Sequence, residues 1–429
     1  MADDNTAMRL AYATSTSLAL QKWALQEALT ACGTGRLGHG GCTAEWTTLP
    51  LIMVRDDMLH TGDLRFASDH FDELVGSVLA GGFIGENGLL NQSNVLVDWP
   101  MGMRDNYVIT EVNSVANAFS YYGMSTLADI AGWLGREEDE KRYRVMSLKL
   151  KDAINEYMWN GKAYCDGVCS ETNHTAFHSS VYLLALGAVQ DDRKNATWEY
   201  VKSRIDPLST DPQHLQGTAS GERWPPPPPP GERAGMPCGT YVSQFTVQAL
   251  YEGDSKDHGV AGYDVLTSSA KNSWLNMIKQ GATTTMEMWT PDEKPNLTWS
   301  HPWSASPGFL IPWYLFGMRP LSPGWATLLI RPAVGRLTHG EYTLPTIKGP
   351  LYASFQRDQA NESFRLEVRL PLGTEGTISI PLPASYTRSR PPVLMMDGID
   401  VSAASKIDSE GAYVTLGSVG PGAHELYLV

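Results

Sequence analysis

The sequence predicts a mainly α chain with a β domain: an (α/α)6-type toroid of helical hairpins over residues 1–325, then a C-terminal antiparallel β-sandwich over 326–429. Three observations predict it. Apolar residues recur at helical spacing up to about residue 325, in pairs of helices joined by loops. After Leu321 the pattern changes to short β-branched runs separated by Gly, Pro and Asp-Gly turns. Hydrophobic residues make up 42% of the 429, enough to bury a large core in more than one unit.

The elements follow in order. A first helix is expected over 7–31, rich in Ala, Leu and Thr. A second runs over 49–60 and stops at Thr61-Gly62-Asp63, where glycine supplies a left-handed end. A third covers 68–79. In the clearest pair, Val112, Val115, Phe119, Tyr122, Ile130 and Leu134 trace one face, and Tyr143, Met146, Leu150, Ile154 and Met158 trace the next. The short link 135–139 makes these an antiparallel hairpin. Further helices are expected near 174–186, 196–205, 239–251, 261–279 and 307–316. Since a closed ring of six hairpins needs twelve helices and this count reaches about ten, the ring is expected to be one hairpin short. Residues 208–238 interrupt the pattern with six consecutive prolines at 225–230, a stiff polyproline II stretch. It reads as a surface insertion, with a ligand for a proline-recognition domain as the sharper alternative. Strands are expected over 327–330, 351–356, 364–370, 376–380, 393–396, 413–416 and 425–429, in a module without an evident catalytic cluster.

A formal net charge of −14 disfavours nucleic acid and anionic lipid as partners. No apolar run approaches the ~18 residues of a membrane span. Residues 1–5 are polar and acidic, without a signal-peptide pattern, whereas five Asn-x-Ser/Thr sites (Asn91, Asn173, Asn195, Asn296 and Asn361) would suit a secreted protein. These two signs conflict and leave localisation open. Five cysteines are too sparse for a disulfide framework, and Cys165-x-x-x-Cys169 has no histidine at zinc spacing. A local disulfide competes there with a redox or metal pair. No metal and no cofactor are expected.

The chemistry concentrates in residues 281–317. Glu287 lies between Met286 and Met288, where desolvation would raise its pKa toward a value useful to a general base or acid. Trp289, His301 and Trp303 beside it are candidates for a sugar subsite; the plainer alternative is a helix-capping glutamate among packed aromatics. A second segment, Val97-Asp98-Trp99-Pro100 with Arg104-Asp105, joins an acceptor for sugar hydroxyls to a stacking face. Trp46, in Ala44-Glu45-Trp46, and Tyr241, entering the helix at 245, complete the rim. Glycoside hydrolysis needs two carboxyl groups, and Glu287 is a candidate for one.

The run Gly281-Ala-Thr-Thr-Thr-Met-Glu287-Met-Trp289, with Trp299-Ser-His301-Pro-Trp303 after it, resembles the α-L-rhamnosidase family of inverting six-hairpin glycosidases. Thr61-Gly-Asp63, Val97-Asp-Trp-Pro100 with Arg104-Asp105, residues 113–117, and the exit Gly317-Met-Arg319-Pro also fit, so the resemblance covers about 10–429. It implies that Glu287 activates water, that His301, Trp46 and Trp99 line a rhamnose site, and that the substrate is a rhamnoside. The family's general acid stands in an Asp-Cys-Pro-x-Arg-Glu type motif before the first helix, and these 429 residues contain no such motif. They are expected to lack the N-terminal β domains and the first hairpin as well. Asp105 follows an Arg, as the family's acid does, and is the candidate substitute. The competing expectations are a rhamnosidase-like hydrolase, a relative that binds sugar without efficient hydrolysis, and a shortened product whose open ring exposes an apolar helix face.

Overall fold

A computed structural model describes residues 1–15, 17–29, 42–79, 82–205, 234–253, 257–293, 296–358, 362–383, 385–386 and 392–429. The proline run 225–230 and the sequon at Asn361 lie outside the described residues. The first expected helix is two: α1 (Ala2–Thr14) and α2 (Ala19–Ala28), parted where Ser15 turns extended. Then come α3 (Ala44–Thr61), α4 (Arg65–Asp69) and α5 (Phe71–Ser77), followed by a small hairpin of β1 (Phe83–Ile84) and β2 (Leu90–Asn91). The chain continues through α6 (Ser114–Trp133), α7 (Glu137–Tyr157), α8 (Phe177–Ala185) and α9 (Asp191–Arg204). After these stand α10 (Thr240–Glu252), α11 (Val260–Leu266), α12 (Trp274–Lys279) and α13 (Pro307–Leu310), the last running into a π turn at Ile311–Leu315. Gly62 ends α3 at φ +73°, as its position predicts. The Asn113 side chain caps α6 by accepting from the Ala116 N–H at 2.9 Å.

Helices buried all round belong inside a ring, and helices with one apolar stripe belong outside. Every residue of α8 is buried, and so is nearly all of α10, whereas α7 buries only a stripe containing Tyr143, Leu150 and Ile154. Among the described residues α1, α3, α6, α8, α10 and α13 pack in that order, and α13 packs back on α1. The ring therefore closes. This corrects the expected missing hairpin, since six inner helices are present among the described residues and complete the inner wall. Apolar exposure falls instead on outer helix α2, where Leu20 and Trp23 are 77% and 65% exposed. No helix among the described residues is long and apolar enough to cross a membrane.

The strands that follow are β3 (Met318–Pro320), β4 (Thr327–Ile330), β5 (His339–Thr346), β6 (Gly349–Asp358), β7 (Ser363–Leu370) and β8 (Glu375–Pro381). Then come β9 (Leu394–Met396), β10 (Ile399–Asp400), β11 (Ser405–Ile407), β12 (Tyr413–Val419) and β13 (Gly422–Leu428). They form two sheets, ordered β10-β9-β13-β7-β6-β5 and β11-β12-β8-β4-β3. Pairing is antiparallel except between β4 and β8, which run parallel. Alternation on β6 buries Leu351, Ala353 and Phe355. Phe316 meets Tyr342 and Phe355 at tilted angles, with ring centroids 5.4 and 5.7 Å apart, and the Tyr342 hydroxyl donates to the Ala13 carbonyl at 3.4 Å, joining sheet to ring.

Candidate active site

The loop after α12 folds back on itself. The Glu287 N–H donates to the Thr298 carbonyl at 2.9 Å, and the His301 N–H donates to the Thr285 carbonyl at 2.8 Å. Two donors fix the Glu287 backbone carbonyl: the Trp303 indole at 3.0 Å and the Thr240 hydroxyl at the start of α10. Its side chain, in a residue only 4% exposed, is held as well. Oε2 accepts from the Thr298 N–H at 3.0 Å and Oε1 from the Trp99 indole N–H at 3.3 Å. A carboxylate oxygen is a hydrogen-bond acceptor, so the Glu287 side chain has the chemistry to take a proton from water.

Trp99 is half-buried and anchored from behind by Asp98. Asp98 Oδ1 accepts from the Trp99 N–H at 2.7 Å, Oδ2 accepts from the Gly239 N–H at 2.7 Å, and Oδ2 lies 2.8 Å from His178 Nε2. Gly239 is required there, because a Cβ would meet the Trp99 carbonyl at 2.5 Å and Asp98 Oδ1 at 2.6 Å. Asp98 is fully buried, so its oxygens hold protein groups and not the sugar hydroxyls that its place in the sequence predicted. Glu45, in the first turn of α3, does the same, accepting from the N–H groups of Val97 at 2.7 Å and Leu96 at 3.1 Å. Burial pushes the carboxyls of both Asp98 and Glu45 up, against the hydrogen bonds that favour their charge. Arg104 Nε donates to the Asp98 carbonyl at 3.1 Å, and among the described residues its guanidinium makes no ion pair.

Asp105 is committed elsewhere. Arg204 Nη2 reaches its two oxygens at 2.9 and 2.8 Å, and the Phe177 N–H donates to Oδ2 at 2.7 Å, which fixes the first turn of α8. Trp289 is also not a rim residue: it is fully buried, donates to the Cys238 carbonyl at 2.7 Å and meets Trp274 edge-on at 5.3 Å. Its neighbourhood in sequence resembled a sugar platform, but its ring fills the core. Trp303 is mostly buried, between His301 at 4.1 Å and Tyr241 at 5.9 Å. Tyr241 is fully buried, and burial, reinforced by the charges of Glu45 and Asp98, keeps its hydroxyl protonated. Trp46 and His301 are partly exposed at the mouth.

Sequence reasoning missed several partners of the site, among them Asp3, His178 and Thr298. Asp3, in the first turn of α1, places Oδ1 3.0 Å from His301 Nε2 and 3.2 Å from the Trp303 N–H. Partial burial raises its pKa, but His301 and the other partners outweigh that and hold the carboxyl below its usual range. None had a local signal, since each acts on a residue distant in sequence or through its backbone. Glu45, Trp46, His178, Thr240, Tyr241 and Asp3 all stand at the N-terminal ends of inner helices, where the helix dipoles favour carboxylates. Cys165 and Cys169 are joined in a disulfide, so the alternative of an open redox or metal pair is set aside. Among the described residues no group of three His, Cys, Asp or Glu side chains is placed to hold a metal ion.

Residues 27–216 and 232–314 match the family model of the bacterial alpha-L-rhamnosidase 6 hairpin glycosidase domain. Residues 317–392 match that of the bacterial alpha-L-rhamnosidase C-terminal domain. No curated protein matches the chain. Among solved structures, the α-L-rhamnosidase of Dictyoglumus thermophilum aligns with a TM-score of 0.69 at 18% identity, over 100% of this chain and 45% of that one. The Streptomyces avermitilis α-L-rhamnosidase complexed with L-rhamnose aligns with a TM-score of 0.70 at 19% identity, over 100% and 38%. The native enzyme of Aspergillus terreus gives 0.67 at 16%, over 99% and 45%. At such identities the likeness is one of fold. The chain spans less than half the length of each of these three structures.

Proposed function

Because the chain belongs to the bacterial α-L-rhamnosidase family through both its six-hairpin and its C-terminal domains, we propose that it hydrolyses terminal α-L-rhamnosides with inversion, Glu287 serving as the base that activates water. The observation that carries this reading is the fixed Glu287 carboxylate, one oxygen on the Trp99 indole and the other on the Thr298 N–H, at the end of the ring where Trp46 and His301 reach solvent. One similar structure holds L-rhamnose, which supports the substrate class. In the step, the Glu287 carboxylate takes a proton from water as that water attacks the anomeric carbon, and the bond to the leaving oxygen breaks on the opposite face. Arg104, His301, Trp46 and Trp99 orient the sugar. The aglycone oxygen needs a proton that Asp105 is poorly placed to supply, its oxygens being held by Arg204 and Phe177.

That last observation favours a second reading, a sugar-binding relative with slow turnover. Proton NMR of 4-nitrophenyl α-L-rhamnoside hydrolysis separates the two. The first reading expects β-L-rhamnose as the initial product. Initial release of the α anomer overturns inversion. No release, with L-rhamnose raising the Tm, favours the binder.

A further inference from the structure

The inner helices have a second end. The C-terminal turns of α3, α8 and α10 line a cavity of about 430 Å3, whose walls include Arg9, Asp56, Tyr122, Glu252, Trp313 and Arg319. The length of α3 from Trp46 to His60 puts roughly 20 Å between this cavity and the Glu287 cleft.

The cations here come already matched. Arg9 Nε pairs with Asp56 Oδ2 at 2.8 Å, and Arg319 Nη1 pairs with Glu252 Oε1 at 2.8 Å, where the Tyr314 hydroxyl also donates at 2.9 Å. Arg55 is taken by Asp129 at 3.1 Å, and Lys194 by Asp191 at 2.8 Å. Burial pushes His60 down to about 4, so it is neutral. Among the described residues of the lining no unmatched cation remains to select an anion. What remains is hydrogen-bonding capacity of both kinds. Among the described residues Asp56 Oδ1 and Glu252 Oε2 accept no hydrogen bond. The buried N–H groups Trp313 Nε1 and Arg319 Nε donate none. A hydroxyl both donates and accepts, and the C–H face of a sugar ring packs against aromatic walls such as Tyr122, Trp313 and Tyr314. The volume lies in the range of small-ligand sites, ~300–1,000 Å3.

We propose that this cavity is a second binding site, for a neutral monosaccharide-sized sugar, at the opposite end of the ring from Glu287. It does not depend on the catalytic reading. The test is calorimetric titration of the full chain with L-rhamnose, D-glucose and D-galactose, and with inorganic phosphate. The proposal expects at least one sugar to bind with an affinity kept in Glu287→Gln. In Trp313→Phe and Glu252→Gln that affinity should fall about 10-fold or more, the scale of a lost hydrogen bond in a buried site. Sugar binding abolished by Glu287→Gln, or untouched by both cavity variants, overturns it, as does binding of phosphate in place of sugar. Crystals of the wild-type chain soaked in the same sugars decide the matter without relying on variants. Sugar density beside Trp313 is expected, and density confined to the Glu287 cleft overturns the proposal.

Discussion

The Trp99 indole N–H donates to Glu287 Oε1 at 3.3 Å across 188 residues of sequence. That bond ties the loop before α6 to the loop after α12, and the carboxylate is aimed by both. Trp99→Phe keeps a ring and removes the donor. Because hydrogen bonds to charged groups contribute about 1.5–3 kcal/mol, kcat on 4-nitrophenyl α-L-rhamnoside is expected to fall about 10- to 100-fold. Unchanged kcat with a raised KM would instead make Trp99 a stacking surface only.

Asp98 is expected to behave as a strut. It is fully buried and holds Trp99, Gly239 and His178. Asp98→Ala leaves buried donors unpaired and is expected to cost about 3 kcal/mol of stability, read as a lowered Tm or denaturant midpoint. His178→Ala should lower the Tm in the same direction. A large rise in KM with the Tm intact would return Asp98 to the role of a sugar ligand.

Asp105→Asn is expected to reduce kcat less than about 10-fold while lowering the Tm, because the loss is that of the Arg204 pair and the Phe177 contact. A general acid would show a loss of about 10²–10⁴-fold on substrates with poor leaving groups.

The leaving group itself is informative. 4-Nitrophenolate departs with little need of a proton, whereas methanol needs one. If the described carboxylates supply no acid, methyl α-L-rhamnoside should be hydrolysed at least about 100-fold more slowly than the nitrophenyl glycoside. Similar rates on the two would show that a proton donor is at work.

Glu293 gives a pH signature. It is buried and accepts from the N–H groups of Trp289 at 3.0 Å and Thr290 at 3.3 Å. Burial pushes its carboxyl up from 4.5 to about 7. The folded chain then binds more protons than the unfolded one across that interval. The stability linked to Glu293 is full below pH 4.5 and is lost as pH rises through about 7. Glu293→Gln should flatten the fall of Tm over this window. A wild-type Tm contribution that rises there, or a variant with the same slope, contradicts the assignment.

Much of the ring was legible in the sequence because packing periodicity is local. The stripes of α6 and α7 and the Gly62 stop needed only neighbouring residues. The break between α1 and α2 was missed because Ser15 to Leu18 continues a composition that also suits a helix, and with it went the closure of the ring. Strand β5 was missed because it is an edge strand, polar over its first half and carrying Pro345, which an edge tolerates. Glu287 stood out because a carboxylate between two methionines is unusual in any loop. Trp289 stood out as an aromatic in the same loop, and its place in the core carried no local sign, since a loop aromatic beside acids looks alike whether it faces solvent or the core. The partners that aim the site carry no local trace: His178 lies 80 residues from Asp98, and Asp3 lies 300 from Trp303.

The assignment of Glu287 is tested most directly by kcat for 4-nitrophenyl α-L-rhamnoside in wild type and Glu287→Gln, with L-rhamnose binding measured on both proteins. The account predicts a loss of about 10²–10⁴-fold in kcat with L-rhamnose still bound by the variant. Turnover undiminished in Glu287→Gln would contradict it.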